Sequence, residues 1–263
     1  MKLTIRKSFF YIGILVLFLC AQSSYAQHAY FVESGKIEFE KSVNMFAKLK
    51  NRVQSNDVFG QKIYDEYRKT QPQFAVSKST LSFSLEKSIY QFVEEEKQGM
   101  SSFVDDPWIM VRNSIYHSFK TDSTTAIRKV YDEDFVVKDK KPDILWKMTN
   151  EVREIAGYHC RRANGLILDS IYVVAFYSEE ILPSGGPESF SGLPGMILGV
   201  ALPHENVTWF ATKVELNKPI VDTPIPLPRR AKQVSGNEYV EGLKKSMKNW
   251  GRWGDDALKA FIL

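Results

Sequence analysis

Cysteine is almost missing from this chain: among 263 residues there are two, Cys20 and Cys160. A disulfide framework and a cysteine-rich zinc site are thereby excluded. Histidine is nearly as scarce. His28, His117, His159 and His204 stand singly, and none has a second ligand at the i+2 or i+4 spacing that would put a metal site on one element. No Gly-x-Ser-x-Gly elbow, His-Glu-x-x-His helix or P-loop occurs. The carboxylates come in runs, Glu94–Glu96, Asp105–Asp106 and Asp132–Asp134, which read as solvated turns rather than as paired acid groups.

Long hydrophobic runs are confined to one place. Phe9–Leu19 is apolar, follows Lys2, Arg6 and Lys7, and precedes small Ser24 and Ala26. A helix crossing a bilayer needs roughly 20 apolar residues, so this shorter run fits a secretory signal over residues 1–26, cleaved after Ala26. The expected location is periplasmic or extracellular. An uncleaved anchor and a lipoprotein processed at Cys20 are the alternatives, and bulky Leu19 speaks against lipidation. Cleavage removes three of the 35 basic residues and none of the 31 acidic ones, leaving 32 against 31. A nearly neutral chain lacks the clustered basic face that nucleic acid requires. Cleavage also leaves Cys160 as the lone thiol, so burial must hold the fold together; 44% hydrophobic and 13% aromatic residues suffice for a core.

Beyond the signal, period-two alternation dominates. Ile37 and Phe39 project one way and Lys36, Glu38 and Glu40 the other; Leu81, Phe83 and Leu85 alternate with Ser82, Ser84 and Glu86. Phe46, Leu49, Val53, Ile63 and Tyr67 recur instead at helical spacing, which predicts a broken helical insert over about 46–70. Trp108–Val111, Ser114–Phe119, Ala126–Tyr131, Ile171–Tyr177 and Val207–Asn217 predict further strands. In EIAGYHCRRANG, alternation places Ile155, Gly157, His159 and Arg161 on one face and Ala156, Tyr158 and Cys160 on the other. The next hairpin turns at Asn164-Gly165 or Asp169-Ser170. Four prolines within 219–234 mark an extended connector. Beyond it, Tyr239, Leu243, Met247 and Trp250 lie at helical spacing opposite Lys244, Lys245 and Lys248, predicting an amphipathic helix within 235–263 that ends around Gly251. The expected fold is mainly β (α+β): a curved antiparallel sheet meander over 27–218 with a helical insert, then the connector and a C-terminal helix. That helix packs back on the sheet or touches an anionic membrane surface peripherally.

Gly185–Val200, GGPESFSGLPGMILGV, packs five glycines and two prolines around an apolar tail. Met196 and Ile197 stand where a phosphate loop needs Lys and Ser or Thr, so the stretch reads as a fold corner or a ligand-shaping loop. GYHCRRA (157–163), VVAFYSEEI (173–181) and this stretch together resemble, in order and spacing, the GLPGLI family of exported Bacteroidetes proteins. The departure is Met196 where leucine is usual. The resemblance implies export and a shared domain, with no catalytic residue or cofactor to carry over. Its motif positions here are Gly157, Tyr158, Cys160, Gly186, Pro187, Gly192, Leu193, Pro194 and Gly195. Cys160, turned away from His159, reads as a buried inert thiol rather than a nucleophile. The expected role is a non-enzymatic carrier or accessory with no cofactor or metal, binding a lipid-like ligand or an envelope protein partner. A structural interaction module and a hydrolase with a hidden site are the alternatives.

Overall fold

The computed structural model describes residues 32–53, 57–94, 106–141, 143–167, 171–218 and 226–263. The expected signal over residues 1–26 and the acidic residues Glu95, Glu96 and Asp105 lie outside them. Alternation makes the first strand, β1 (Gly35–Asn44): every second residue from Gly35 to Val43 is buried, and the set includes Lys41 as well as Ile37 and Phe39. Two helices come next, α1 (Met45–Arg52), N-capped by Asn44, and α2 (Val58–Thr70), N-capped by Asp57. They form the insert, and α2 buries none of its residues fully.

The chain then runs through β2 (Phe74–Phe83), β3 (Lys87–Val93), a single helical turn α3 (Pro107–Met110), β4 (Ser114–Ser118), β5 (Ser123–Val130) and β6 (Glu133–Lys140). The strand expected over Trp108–Val111 is therefore corrected to a helical turn. Asp106 accepts the Trp108 backbone N–H and Pro107 begins the turn, the pairing that starts a helix. One acidic run is also corrected, since Asp106 is fully buried; Asp132–Asp134 starts in an exposed turn and leads into β6.

The second half comprises β7 (Leu145–Ile155), β8 (Tyr158–Ile167), β9 (Ile171–Ser178), β10 (Met196–Leu202), β11 (Val207–Leu216), β12 (Lys232–Ser235), α4 (Gly236–Met247) and α5 (Gly251–Ile262). EIAGYHC is a hairpin and not one strand. Ala156 and Gly157 both take positive φ, +50° and +84°, the two-residue turn whose twist matches its flanking strands. At the next hairpin Ile167 pairs with Ile171 and Asn164 and Gly165 lie inside β8, while the alternative turn at Asp169-Ser170 falls outside the described residues.

Among the described residues all twelve strands form one open sheet, ordered β12-β6-β5-β4-β3-β2-β1-β11-β10-β9-β8-β7. The meander is interrupted where β1 pairs with both β2 and β11, and it is closed off by one parallel pair, β12 with β6. The proline connector thus ends in a strand. At the β7 end the sheet curls. Arg153 of β7 reaches past β8 to lie over the rings of Phe176 and Phe210, at 5.6 and 4.8 Å. Both faces of β9 are covered, which is why its sequence is apolar throughout.

The C-terminal helix is two helices. Ser235 and Glu238 form a reciprocal capping box at the start of α4, and the chain breaks after Met247, where Gly251 takes φ +56°. Tyr239, Leu243 and Met247 of α4 and Ala257, Ala260 and Phe261 of α5 are buried in the common core. No helix among the described residues is long and apolar enough to cross a membrane.

Candidate functional site

Between β5, β6, α4 and the end of α5 lies a cavity of about 740 Å³. Period two aligns Thr124, Ala126 and Arg128 along one wall; Val137 of β6 stands beside them, and Tyr239 and Val240 of α4 face them. Ile144, Ile167, Phe190 and Ile262 complete apolar walls, with Lys140, Lys141 and Lys244 also on the lining. Ser189 and Phe190 come from the glycine-proline stretch. That stretch is therefore a corner and also a wall of the cavity.

Arg128 is buried, yet no Asp or Glu side chain pairs with it among the described residues. It donates instead to the backbone oxygens of Phe261 (3.2 Å) and of the last residue, Leu263 (3.3 Å), and to Ser189 Oγ (3.3 Å), beside the Tyr239 ring at 5.9 Å. The Tyr239 hydroxyl donates to Phe261 O at 2.9 Å, and burial pushes its pKa up to about 12, so it stays a neutral donor.

Beneath the same stretch is a charged interior. Glu188, at φ +50°, accepts from Tyr90 Oη (3.1 Å) and Asn113 Nδ2 (2.8 Å). Lys41 lies between the rings of Trp209 and Trp108, at 5.0 and 5.9 Å. Burial lowers its pKa to about 8 against the pull of Glu188 and Asp106. Farther along, Arg52 bridges Asp106 (2.6 Å) and Asp256 (2.8 Å); Lys48 and the Trp108 indole N–H also donate to Asp256. Burial raises the pKa of Asp106 despite Lys48 and Arg52. For Asp256 burial pushes the same way, but Lys48, Trp108 and Arg52 outweigh it and leave the group below its ordinary range. Beside Tyr90, His117 and Glu188 the open space is about 10 Å³, room for one water. This network joins α1, α3 and α5 to the sheet, and its Lys48, Arg52 and Asp256 border a wider cleft.

A third feature is a polar cleft of about 530 Å³ where α1, the β10–β11 turn and α5 meet. It brings His204 together with Glu205, Asp255 and Asp256, a gathering that alternation within single elements could not reveal. Glu205 is buried and bound to Lys259 Nζ at 2.8 Å. Among the described residues no group of three or more His, Cys, Asp or Glu could hold a metal ion.

None of the nine motif positions lines the large cavity. Gly157 is exposed in its hairpin turn; Tyr158 is half-buried; Cys160 is fully buried, and burial pushes its thiol up to about 12. Gly186 lies against the Ile197 side chain and the Phe190 carbonyl, Leu193 is buried, and Gly192 and Pro194 are exposed. Gly195 takes φ +141° where any Cβ would overlap the Ser178 carbonyl oxygen. The cavity residues Ala126, Arg128 and Val137 carry no motif signal. The parity of Arg128 with Ala126 is the one sequence clue to its inward direction.

Together these elements define a class: an open, mainly antiparallel sheet carrying an apolar cavity under a pair of helices. The fold is similar to that of PNGF-II. In the P21 crystal form of that protein the TM-score is 0.50, with 14% identity over 82% of this chain and 34% of PNGF-II. In the C2 form the values are 0.51, 13%, 82% and 33%. The chain thus spans about a third of the length of PNGF-II. No family model and no curated protein matches the sequence.

Proposed function

We propose that this is an exported, non-enzymatic carrier or accessory of the GLPGLI type, holding an apolar ligand between its sheet and its C-terminal helices. The supporting observation is the cavity of about 740 Å³, walled by Val137, Ile144, Ile167, Phe190 and Tyr239. That volume falls in the usual range for small-molecule sites, and the apolar walls would offer about 25 cal/mol per Å² of ligand surface removed from water. The neutral probe N-phenyl-1-naphthylamine tests the site directly. Val137→Trp puts an indole into the cavity and should weaken probe binding at least about tenfold, with the far-UV spectrum unchanged. Equal binding by both proteins would sink the proposal. Native mass spectrometry of protein purified from its own envelope should show a co-purifying mass of lipid size.

Hydrolysis is the second reading, favoured by one observation, the meeting of His204 with Glu205 and Asp255 in the polar cleft. Glu205 is already engaged by Lys259 and Asp256 is held below its ordinary pKa, so neither is suited to serve as an acid at neutral pH. A hydrolytic activity abolished by His204→Ala would favour it over the carrier.

A further inference from the structure

We infer that the polar cleft where α1, the β10–β11 turn and α5 meet is a second binding site, for a neutral polyhydroxylated ligand of the sugar class; the inference goes beyond the carrier reading and concerns a different site. The cleft, at about 530 Å³, lies in the size range of small-molecule sites. Its inner charges are already matched. Lys48 meets Asp256 at 3.0 Å and Asp106 at 3.6 Å, Arg52 meets the same two carboxylates at 2.8 and 2.6 Å, and Lys259 meets Glu205 at 2.8 Å. Arg252 and Asp255 on the rim add one charge of each sign. Histidine aside, four cations therefore face four carboxylates. An added ion finds no net field to attract it, and seating it on the floor would break a pair and leave a buried charge alone. A hydroxyl escapes that cost, because it donates and accepts at once and can join a carboxylate and a cation while both keep their partners. The rim supplies free groups for it: Asn51, His204, Arg252 and Asp255 are exposed, and among the described residues their side chains make no hydrogen bond or ion pair. Half-buried Trp253 lines the same cleft, its ring held by stacking on Tyr131 at 6.2 Å and by Trp250 at 5.3 Å. An indole offers an apolar surface to the C–H groups of a sugar ring while its polar neighbours bond the hydroxyls. A purely apolar ligand would instead strip water from charged walls without replacing its hydrogen bonds.

Saturation-transfer NMR on the whole protein tests the site, with glucose, galactose, mannose and N-acetylglucosamine each at about 5 mM, a level suited to the millimolar affinity that exposed hydrogen bonds sustain. At least one of these sugars should receive saturation. Its 6-phosphate and its 2-amino analogue, each of which adds a charge, should bind at least about threefold more weakly. The double variant Asn51→Ala/Asp255→Ala, at two exposed positions, should weaken binding at least about fivefold through the loss of two hydrogen bonds. Trp253→Ala should abolish the signal. Trp253 also packs on Tyr131, so where that variant fails to fold the rim variant decides. Val137→Trp fills the apolar cavity and should leave the sugar signal unchanged within about twofold, because the two sites share no lining residue. Absence of saturation on all of these sugars overturns the inference, and so does tighter binding of the charged analogues. Full binding by the rim variant, or loss of the signal in Val137→Trp, overturns the placement in the cleft. None of these failures touches the apolar probe, so the carrier reading stands or falls separately.

Discussion

Lys41→Met should make the protein more stable at neutral pH. Lys41 is 4% exposed, and burial takes its pKa from 10.5 to about 8 even with Glu188 and Asp106 nearby. That difference corresponds to about 3 kcal/mol of penalty for carrying the charge in the folded state. Below pH 8 the lysine is charged in both folded and unfolded chains, and the whole penalty applies. Between about pH 8 and 10.5 the unfolded chain binds the proton and the folded chain does not, so stability rises with pH. Above 10.5 both are neutral and the penalty is gone. Cys160 acts in the opposite sense: its folded pKa is raised from 9.0 to about 12, so it lowers stability as pH rises above 9. The informative quantity is accordingly the difference between variant and wild type, in which Cys160 cancels. Methionine keeps the length of the side chain and packs its sulfur against Trp108 and Trp209. Urea unfolding at pH 7, 8, 9 and 10 should show the variant about 3 kcal/mol more stable at pH 7, an advantage that fades toward pH 10. A variant less stable than wild type at pH 7 would refute the reasoning, because it would mean that the attraction of Lys41 to Glu188 and Asp106 exceeds the cost of burying it.

Gly195→Ala should destabilise by about 3 kcal/mol, since φ +141° is closed to alanine and its Cβ would meet the Ser178 carbonyl. Gly157→Ala, at φ +84° with open space around it, should lose only about 1 kcal/mol. Paired urea titrations check the contrast, and equal losses would refute the close-packed corner. Cys160 should resist a soluble disulfide reagent at pH 8 and react at the rate of global unfolding. Prompt labelling would show an accessible thiolate and contradict its burial.

Alternation and helical spacing, being local, made most elements legible. Ile37 and Phe39 mark β1, Leu81 and Phe83 mark β2, and Tyr239, Leu243 and Met247 mark the buried stripe of α4. The same rules misread Trp108–Val111, where an Asp-Pro start overrode apolar content, and Ala156-Gly157, where two positive φ values turned the chain. They also hid Lys41, which shares the parity of Ile37 and Phe39 but looks by its chemistry like a surface residue.

What the amino-acid order determined alone was the set of strands and helices, because a side chain's face depends on its position modulo two or 3.6. Only the tertiary structure decided that Arg128, Phe190 and Tyr239, far apart along the chain, share one cavity. That meeting depends on β12 pairing with β6 and so bringing α4 back over the sheet. Long-range closure of this kind is set by the sum of many contacts, and no short stretch of sequence records it.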